Sequence, residues 1–393
     1  MKSNYDILGN HICLVDKRNK ENITNRLLGI NIDKFFMPSV ANVIGTDLSK
    51  YKLINKGNFA CNPMHVGRDE RLPIALYSEN EPAIVSPAYF VFEIIDNSIL
   101  DEEYLMMWFR RPEFDRLCWL HTDGSVRGGI TWEDICRLEL PIPDIEEQRK
   151  IVKAYKIITD RIELKKRIND NLEEQCSCIL YNKYYVDSEN GKPWVKYTVQ
   201  DLIDKGFIDP PMDGNHGEIH PKVSDYVTTG IPFIMANNLS NGFVDLAQCA
   251  FISKEQAKSL RKGFAKPKDV LLTHKATLGR IAIVPEDYEY IVLTPQVTYY
   301  RIHKGLSNVY LRYYFASSYF QSILESFAGG GSTRAYIGIT KQCELPVYLP
   351  CESSMLAVTT ALDQIERVRN INYSEIQHLK EVRNILISQL SNH

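Results

Sequence analysis

The chain has 393 residues, a length that suits two or three domains and is too long for a single core. Hydrophobic residues make up 44% of the chain and charged residues 24%, which excludes wholesale disorder and a fibrous repeat. The 46 basic and 49 acidic residues leave a formal net charge of -3. This balance argues against a protein that coats nucleic acid non-specifically, unless the charge is unevenly distributed along the chain.

The sequence carries no recognisable signal for secretion or membrane insertion. Its first residues lack the apolar run of a signal peptide, and no stretch approaches the roughly 18 apolar residues that span a bilayer. The nine cysteines are scattered, without the spacing of a zinc site or a redox pair, so we expect free thiols in a reducing compartment. The expected location is the cytoplasm, with no membrane partner.

Short strands and turns are predicted up to residue 143. Apolar runs such as 83–95 are bounded by Gly, Pro and Asn turn signals, which is typical of strands in a mixed α/β region. From 145 to 183 the chain contains neither proline nor glycine, and apolar residues recur at helical spacing. Because Asp144 precedes this stretch as an expected N-cap, the pattern predicts one long helix.

The second half of the chain repeats this plan. Tyr104-Leu105 recurs as Tyr310-Leu311, at an offset of 206 residues. From Gly124 and Gly331 onward, an offset of 207 holds without a gap for about sixty positions, through a glycine turn, a proline and a helix. Chance identities do not keep a constant offset for so long, so we interpret the chain as an internal duplication.

Each half ends in a long helix whose apolar stripe is narrow. Such stripes are expected where two helices meet along one seam, as in an antiparallel coiled coil; the alternative is that each helix packs only on its own globular domain. The stripes turn polar midway, at Lys165 and Asn169 in one copy and at Asn372 and Glu375 in the other. The expected seam residues are Ile151, Ile158, Leu172, Ile179, Val358, Ile365, Leu379 and Leu386, with Val368 and Val382 also on the second stripe.

The predicted fold class is α+β, with two mixed α/β domains joined by two long antiparallel coiled-coil helices in a pseudo-twofold internal repeat. The expected segments are a first globular domain at 1–143, a central spacer helix at 144–185, a linker at 186–196, a second globular domain at 197–350 and a C-terminal spacer helix at 351–393.

Signals for catalysis are weak. The sequence contains no G-x-x-x-x-G-K-[ST] phosphate loop, no G-x-G-x-x-G after a strand, and neither H-E-x-x-H nor G-x-S-x-G. The run at 62–65 faintly resembles the Asn-Pro-Pro-aromatic motif of amino-methyltransferases, but it lacks the aromatic residue, so a plain turn is favoured. The histidines show no metal-ligand spacing. We therefore expect no catalytic residue, metal or cofactor in this chain.

Local charge is uneven. From 256 to 284, seven basic residues accompany one acidic residue, a net of +6, and from 49 to 72 five basic residues accompany two acidic ones, a net of +3. By contrast, the segment 201–225 is acidic. Basic patches at equivalent places in two repeats favour contacts with DNA phosphates, beside polar side chains that read base edges. A solvated charged surface is the alternative.

One junction between a strand and a helix is distinctive. It reads Leu138-Glu139-Leu140-Pro141-Ile142-Pro143-Asp144-Ile145-Glu146-Glu147-Gln148-Arg149-Lys150-Ile151-Val152. Together with the duplicated plan and the preceding glycine-serine turn, it resembles the specificity (S) subunits of type I restriction–modification systems along essentially the whole chain. The second junction, at 345–356, departs from the pattern because it lacks the Glu-Gln pair.

The resemblance implies a division of labour among subunits. In this family, each of two target recognition domains reads one half of a bipartite, asymmetric DNA site, and the two long helices set the spacing between the half-sites. The helices also dock two methyltransferase (M) subunits, and restriction (R) subunits join for ATP-dependent cleavage. S-adenosylmethionine, ATP and Mg²⁺ are implied only for these partners, which methylate adenine-N6, and this chain is expected to be non-catalytic.

The expected DNA contacts are cations and neighbouring polar groups of the two globular domains. Arginine commonly reads bases, whereas lysine mostly binds phosphates. The candidates are Lys56, His65, Arg68, Arg71 and Arg127 in the first domain, and Lys262, Lys266, Lys268, His274, Lys275, Arg280 and Arg334 in the second. For Arg127 and Arg334, at matched positions in glycine turns, a structural role in pinning the turn is the alternative.

A different class of function stays open at this point. The same two domains and helices would suit an adaptor that dimerises or binds another protein through its coiled coil and does not read DNA. The two hypotheses differ in whether the chain, together with a methylating partner, retains duplex DNA with a salt dependence typical of several phosphate contacts.

Overall fold

The computed structural model describes residues 4–40, 45–64, 66–122, 128–303, 305–329 and 335–390. Its chain divides into two compact units, the first formed by Met1–Leu164 and Glu375–His393 and the second by Lys165–Ser374. Each unit joins one mixed α/β region to parts of both long helices.

The first unit is built on a small antiparallel sheet. Its strands are β1 (Tyr5–Ile7), β2 (Ile12–Leu14), β3 (Leu28–Ile30), β4 (Phe36–Pro38), β5 (Lys52–Ile54), β6 (Phe59–Cys61), β7 (Ile74–Leu76), β8 (Ala83–Val85), β9 (Phe90–Ile94) and β10 (Glu139–Pro141). Its helices are α1 (Val66–Asp69), α2 (Glu102–Phe109), α3 (Pro112–Leu120), α4 (Trp132–Cys136) and the first part of α5 (Ile145–Glu189). The central sheet has the order β2-β9-β6-β7, and the pairs β1-β10, β3-β4 and β5-β8 complete the unit.

Helix α2 packs into the core of this unit because all of its residues from 104 to 109 are buried and apolar. Asp101 fixes its start by accepting hydrogen bonds from the backbone N–H groups of Glu103, at 2.9 Å, and Tyr104, at 3.1 Å. In the sheet below, Phe59 and Phe92 stack at 5.1 Å and both contact Phe109 edge-on. This aromatic layer ties the helix to the sheet.

The second unit contains the same sheet and a further one. Its strands are β11 (Val195–Thr198), β12 (Met212–Asp213), β13 (Tyr226–Val227), β14 (Ile231–Ile234), β15 (Leu239–Ser240), β16 (Phe243–Val244), β17 (Ala250–Ile252), β18 (Phe264–Ala265), β19 (Val270–Lys275), β20 (Thr277–Ile283), β21 (Ile291–Leu293), β22 (Val297–Tyr300) and β23 (Pro346–Leu349). Its helices are the second part of α5, α6 (Val199–Asp204), α7 (Lys254–Ser259), α8 (Asn308–Ala316), α9 (Ser318–Phe327), α10 (Ile339–Gln342) and most of α11 (Glu352–Gln389). The sheets have the orders β12-β22-β19-β20 and β13-β17-β14-β21-β18, with pairs β11-β23 and β15-β16.

The two units repeat the same elements in the same order. The succession α2, α3, α4, β10, α5 of the first unit corresponds to α8, α9, α10, β23, α11 of the second. A shared contact marks the equivalence, since Tyr104 donates its hydroxyl hydrogen to the carbonyl of Pro141 and its counterpart Tyr310 donates to the carbonyl of Tyr348. The structure therefore confirms the internal duplication.

Helix α5 begins where the sequence places it and ends later. Asp144 caps it, accepting from the N–H groups of Glu146 and Glu147, each at 3.1 Å. It ends at Glu189, four residues into the predicted linker 186–196. The last turn is held by the buried carboxylate of Asp187, which accepts from Trp194 Nε1 at 2.9 Å, among other donors.

Within each unit the two long helices pack together in antiparallel fashion. In the first unit, Ile151 and Tyr155 share a buried apolar cluster with Ile387 and Leu390. In the second unit, residues 176–180 of α5 share a cluster with residues 358–362 of α11. Within the second unit, Lys165 of α5 contacts Asn372 of α11 and Asp187 contacts Ser354, so the two helices run in opposite directions.

The residues predicted for the seam differ in how deeply they are buried. Ile151 and Val358 are buried, and the other six seam residues are half-buried, namely Ile158, Leu172, Ile179, Ile365, Leu379 and Leu386. Val368 and Val382 were wrongly placed on the stripe, because they are 46% and 50% exposed. Polar residues occupy the neighbouring buried positions instead, since Arg369 and Asn372 are buried. Counting only apolar residues therefore shifted the expected stripe around the helix.

The polar interruption of the seam forms a hydrogen-bonded layer in the second unit. Lys165 Nζ donates to Asn372 Oδ1 at 2.8 Å, and Asn372 Nδ2 donates to Asn169 Oδ1 at 2.9 Å. Asn169 Nδ2 in turn donates to the carbonyl of Arg369 at 3.1 Å. Buried amides that satisfy each other across a seam fix the register of two helices, because any slip leaves them unpaired.

Candidate nucleic-acid interface

Two predicted DNA contacts lie on the β19–β20 hairpin of the second unit. The strands are joined by one residue, Ala276, whose φ of +64° turns the chain sharply. Lys275, the last residue of β19, is exposed, and its ammonium lies 5.9 Å from the centroid of the Tyr336 ring. Arg280 on β20 is also exposed. The hairpin therefore presents two cations to solvent.

A third predicted contact, Lys262, is held by a buried carboxylate. Asp213 on β12 accepts from Lys262 Nζ and, at 2.8 Å, from His216 Nε2. Burial by itself would raise the pKa of Asp213, but these two hydrogen bonds hold its pKa below the ordinary value. Asp213 thus fixes one lysine and one histidine beside the sheet that carries β19.

Arg280 also supports its own surroundings. Its Nη1 donates to the carbonyls of Ala236, at 3.2 Å, and Leu239, at 3.4 Å. Its backbone N–H donates to Thr273 Oγ1 at 2.9 Å. The guanidinium therefore links strand β20 to the segment that leads into the β15–β16 hairpin, and part of its hydrogen-bonding capacity is used within the protein.

Lys266 and Lys268 lie at the other end of β19. Both are exposed, and the Lys268 ammonium forms a salt bridge with Glu286 at 3.1 Å. Because a strand rises about 3.3 Å per residue, these lysines are on the order of 20 Å from the Lys275 end of the six-residue strand. The structure therefore separates the predicted basic run into two surface groups.

The prediction of His274 as a DNA contact is corrected by its burial. The side chain is completely buried, and its Nδ1 lies 2.9 Å from the carbonyl oxygen of Ile337. Among the described residues Nε2 has no hydrogen-bond partner. His274 lies on the same face of β19 as Val270 and Leu272, which belong to a buried apolar cluster, and only Lys275 at the end of the strand is exposed. It is a core histidine.

Acidification should destabilise the second unit through His274. Burial lowers the pKa of this imidazole from 6.5, so the unfolded chain takes up its proton first as the pH falls. The neutral His274 contributes its full share to the free energy of unfolding above pH 6.5. This share is lost as the pH falls toward the folded-state pKa of His274, by at most about 1.4 kcal/mol per pH unit. Hydrogen exchange of β19 at pH 7, 6 and 5 should show this slope.

The matched variant for this measurement is His274→Gln, which should flatten the pH dependence of exchange in β19 while lowering stability at pH 7. His378→Gln removes an exposed histidine instead and should leave the slope unchanged. An unaltered slope in His274→Gln would contradict the assignment of the effect to this residue.

The three predicted cations that the structure describes in the first unit are exposed, and each has a polar partner. Lys56 Nζ donates to Asn80 Oδ1 at 3.2 Å. Arg68 binds the adjacent Asp69 through two hydrogen bonds, at 2.6 and 2.9 Å, which raise the pKa of the arginine. Arg71 forms a salt bridge of 3.2 Å with Asp33 on the loop of the β3–β4 hairpin. These pairs lie at the surface, where charges exchange partners at little cost.

Three predicted contacts, His65, Arg127 and Arg334, lie outside the described residues, as do both glycine turns of the repeat. Within the described part of the chain, no group of three His, Cys, Asp or Glu side chains is arranged to hold a metal ion. In that same part, no helix is long and apolar enough to cross a membrane.

His216 and the anchoring role of Asp213 were not predicted from the sequence. Both lie in the segment 201–225, which was interpreted only as acidic. Their spacing of three residues is weak by itself, and the link to Lys262 depends on a loop that approaches from a distant part of the chain. Gly263 permits this approach, because a Cβ there would meet the Cα of Gly214 at 2.8 Å.

The comparisons with known proteins agree with one another. A family model described as the type I restriction modification DNA specificity domain matches residues 44–174. The type I restriction enzyme HindI specificity subunit of Haemophilus influenzae is 27% identical over 157 residues, which is 39% of this chain and 33% of that protein. The aligned part thus spans about a third of the length of this curated relative.

A solved structure extends the likeness to the whole fold. The crystal structure of a type I restriction–modification system S subunit from M. genitalium aligns with 99% of this chain and 96% of its own, with a TM-score of 0.56. The sequence identity is 12%, so this likeness concerns the fold alone.

Proposed function

We propose that this chain is a member of the specificity-subunit family of type I restriction–modification systems and that it reads a bipartite DNA site for a methyltransferase. The observation that carries the proposal is the match of residues 44–174 to a DNA specificity domain, in a chain whose second unit repeats the elements of the first. Two DNA-recognition units in one chain suit a DNA site with two different half-sequences.

In this proposal each α/β region is a target recognition domain. The second presents Lys275, Arg280 and the Asp213-bound Lys262 along one sheet, and the first presents Arg68 and Arg71. Exposed lysines would bind phosphates and thereby position the domain on the duplex, while arginines would read base edges. The near-neutral total charge leaves part of the affinity for DNA to the partner subunits.

The long helices would then hold the two readers at a set spacing and dock the partners. The antiparallel packing within each unit and the hydrogen-bonded layer around Asn169 and Asn372 support a rigid element with a single register. The partners would be two methyltransferase subunits and, for cleavage, restriction subunits. S-adenosylmethionine, ATP and Mg²⁺ would be bound by those subunits, and this chain would contribute no catalytic group.

Sequencing of methylated adenines tests the proposal. Cells that express this chain with its methyltransferase should carry N6-methyladenine at one bipartite motif with a fixed gap, and cells that express the methyltransferase alone should not. Scattered or absent methylation would contradict the proposed function.

The adaptor hypothesis predicts a different result in a binding experiment. The complex of this chain with its methyltransferase should retain duplex DNA, and the logarithm of the binding constant should fall linearly with the logarithm of salt concentration. An adaptor that does not contact DNA would leave retention no higher than that of the methyltransferase by itself.

A further inference from the structure

A buried ionic network lies between the long helices and the α/β region of the second unit. Arg312 on α8 and Arg369 on α11 are 2% and 1% exposed. Both bind Glu173 of α5, the first through Nη1 at 2.6 Å and the second through Nη2 at 2.8 Å. Arg369 Nη1 also binds Glu366 at 2.8 Å, and this carboxylate accepts the Tyr313 hydroxyl at 2.6 Å. Three helices therefore share one set of charges.

The same arginine reaches beyond the helices to a β-hairpin. Strands β15 and β16 are joined by Asn241 and Gly242, whose φ values of +50° and +88° are those of a tight hairpin turn. Arg369 Nη2 donates to the carbonyl of Asn241 at 2.7 Å, and its guanidinium lies 4.9 Å from the centroid of the Phe243 ring. A Cβ at Gly242 would overlap the Arg312 guanidinium, so only glycine at this position lets the turn lie against the ionic network.

A second side chain of α11 holds the hairpin at its other end. The Tyr373 ring stacks on Phe243 with centroids 4.2 Å apart and an angle of 10° between the planes. The Tyr373 hydroxyl donates to the carbonyl of Val244 at 3.3 Å. Helix α11 therefore contacts the hairpin through one arginine and one tyrosine that lie one helical turn apart.

The hairpin continues to a predicted DNA contact. Leu239, the first residue of β15, accepts a hydrogen bond from Arg280, and a cavity of about 580 Å³ is lined by Arg280, Arg312 and Arg369 together. The chain of direct contacts runs from Arg369 to Asn241, along the hairpin, and from Leu239 to Arg280. A shift of the hairpin on α11 would carry Arg280 with it.

We propose that Arg369 and Tyr373 are positioning residues that set the orientation of the second recognition domain on α11, and so the gap between half-sites that the chain accepts. The inference rests on the proposed function. Neither residue needs to touch DNA, since both act through the hairpin. Weakening the contacts of these two residues with the hairpin should make the chain tolerant of altered gaps between half-sites. The bases read within each half-site should stay unchanged.

The test uses the full chain assembled with its methyltransferase. Arg369→Lys keeps the positive charge beside the buried carboxylates. It replaces the two guanidinium nitrogens, of which Nη1 binds Glu366 and Nη2 binds Glu173 and Asn241, by a single ammonium nitrogen. Tyr373→Ala removes the ring stack without leaving a charge unpaired. Arg367→Lys, at an exposed position of the same helix, is the matched control. Methylation is measured on duplexes whose gap is native, one base pair shorter or one base pair longer.

We expect both variants to lose about tenfold in the preference for the native gap, with the control unchanged. Hydrogen exchange of residues 239–244 in the isolated full chain should become at least tenfold faster in the same two variants. A uniform fall of methylation at all gaps would indicate mere destabilisation and overturn the inference, as would unchanged exchange in the hairpin. A wild-type complex without any gap preference would overturn the proposed function, and the inference with it.

Discussion

Substitution of Asp115 by asparagine is expected to lower the free energy of unfolding of the first unit by about 3–5 kcal/mol. The Asp115 carboxylate is the counter-charge of Lys34, which is only 6% exposed and lies at the loop of the β3–β4 hairpin. The Lys34 ammonium donates to Asp115 Oδ1 at 2.8 Å and to the carbonyl of Phe109. It also lies 4.9 Å from the centroid of the Phe114 ring.

Asparagine isolates the effect of charge, because its amide oxygen can still accept the hydrogen bond that Asp115 accepts from the N–H of Leu72 at 3.1 Å. The variant leaves a buried ammonium without a counter-charge. Burial already lowers the pKa of Lys34 from 10.5, and loss of Asp115 should lower that pKa further. The unfolded chain then binds the proton more tightly, so the stability of the variant should rise with pH up to about 10.5.

Urea unfolding, monitored by hydrogen exchange in α3, measures the loss of unfolding free energy in the first unit alone. The matched control is Asp33→Asn. Asp33 lies on the same hairpin loop as Lys34 and forms a salt bridge with Arg71, and both side chains of this pair are mostly exposed. Exposed pairs contribute little, so the control should lose only a small fraction of what Asp115→Asn loses. Equal losses in the two variants would contradict a role for burial.

Loss of the Arg280 side chain should weaken DNA binding by the assembled complex by about 1–3 kcal/mol. Arg280 is exposed on β20 and lies on the same hairpin as Lys275. If Arg280 reads a base pair, Arg280→Ala should also relax the methylated motif at one position of one half-site. If it binds a phosphate, affinity should fall evenly across sequences and the salt slope should decrease by about one.

The contacts of Arg280 with Ala236 and Leu239 require a second variant. Arg280→Lys keeps a cation that can bind phosphate but loses the paired donors that suit a guanine. Lys205→Ala removes a charge from an exposed position outside the predicted patch and serves as the control. Affinity of Arg280→Ala equal to that of the control at moderate salt would remove Arg280 from the interface.

Large features of the fold could be predicted because they depend on local patterns. Helix α5 follows from a stretch without proline or glycine and from the cap at Asp144, and the duplication follows from a constant offset. The late end of α5 could not be predicted, because it depends on Asp187 accepting a hydrogen bond from Trp194. The predicted seam on α11 included the exposed Val368 and left out the buried Arg369, because an arginine is not expected at a buried position.

The candidate site could be predicted only in outline. Clusters of lysine and arginine indicated the β19–β20 hairpin, since surface charge is visible in composition. Burial of His274 was not visible in the sequence, because β19 is buried at every position before Lys275 although it lies inside a basic run. Burial of Lys34 and Arg312 could not be predicted, because their carboxylate partners lie 81 and 139 residues away along the chain.

The two copies anchor their α/β regions by different chemistry. At the offset of the repeat, Arg312 and Arg369 correspond to Met106 and Ile162, which are buried and apolar. An α/β region moved from one copy to the other would therefore bury an arginine against an aliphatic side chain, or leave Glu173 without its Arg312 partner, at a cost of several kcal/mol. Chimaeras that exchange recognition halves between chains of this type should fold only when the anchoring side chains of α5 and α11 travel with the half they serve.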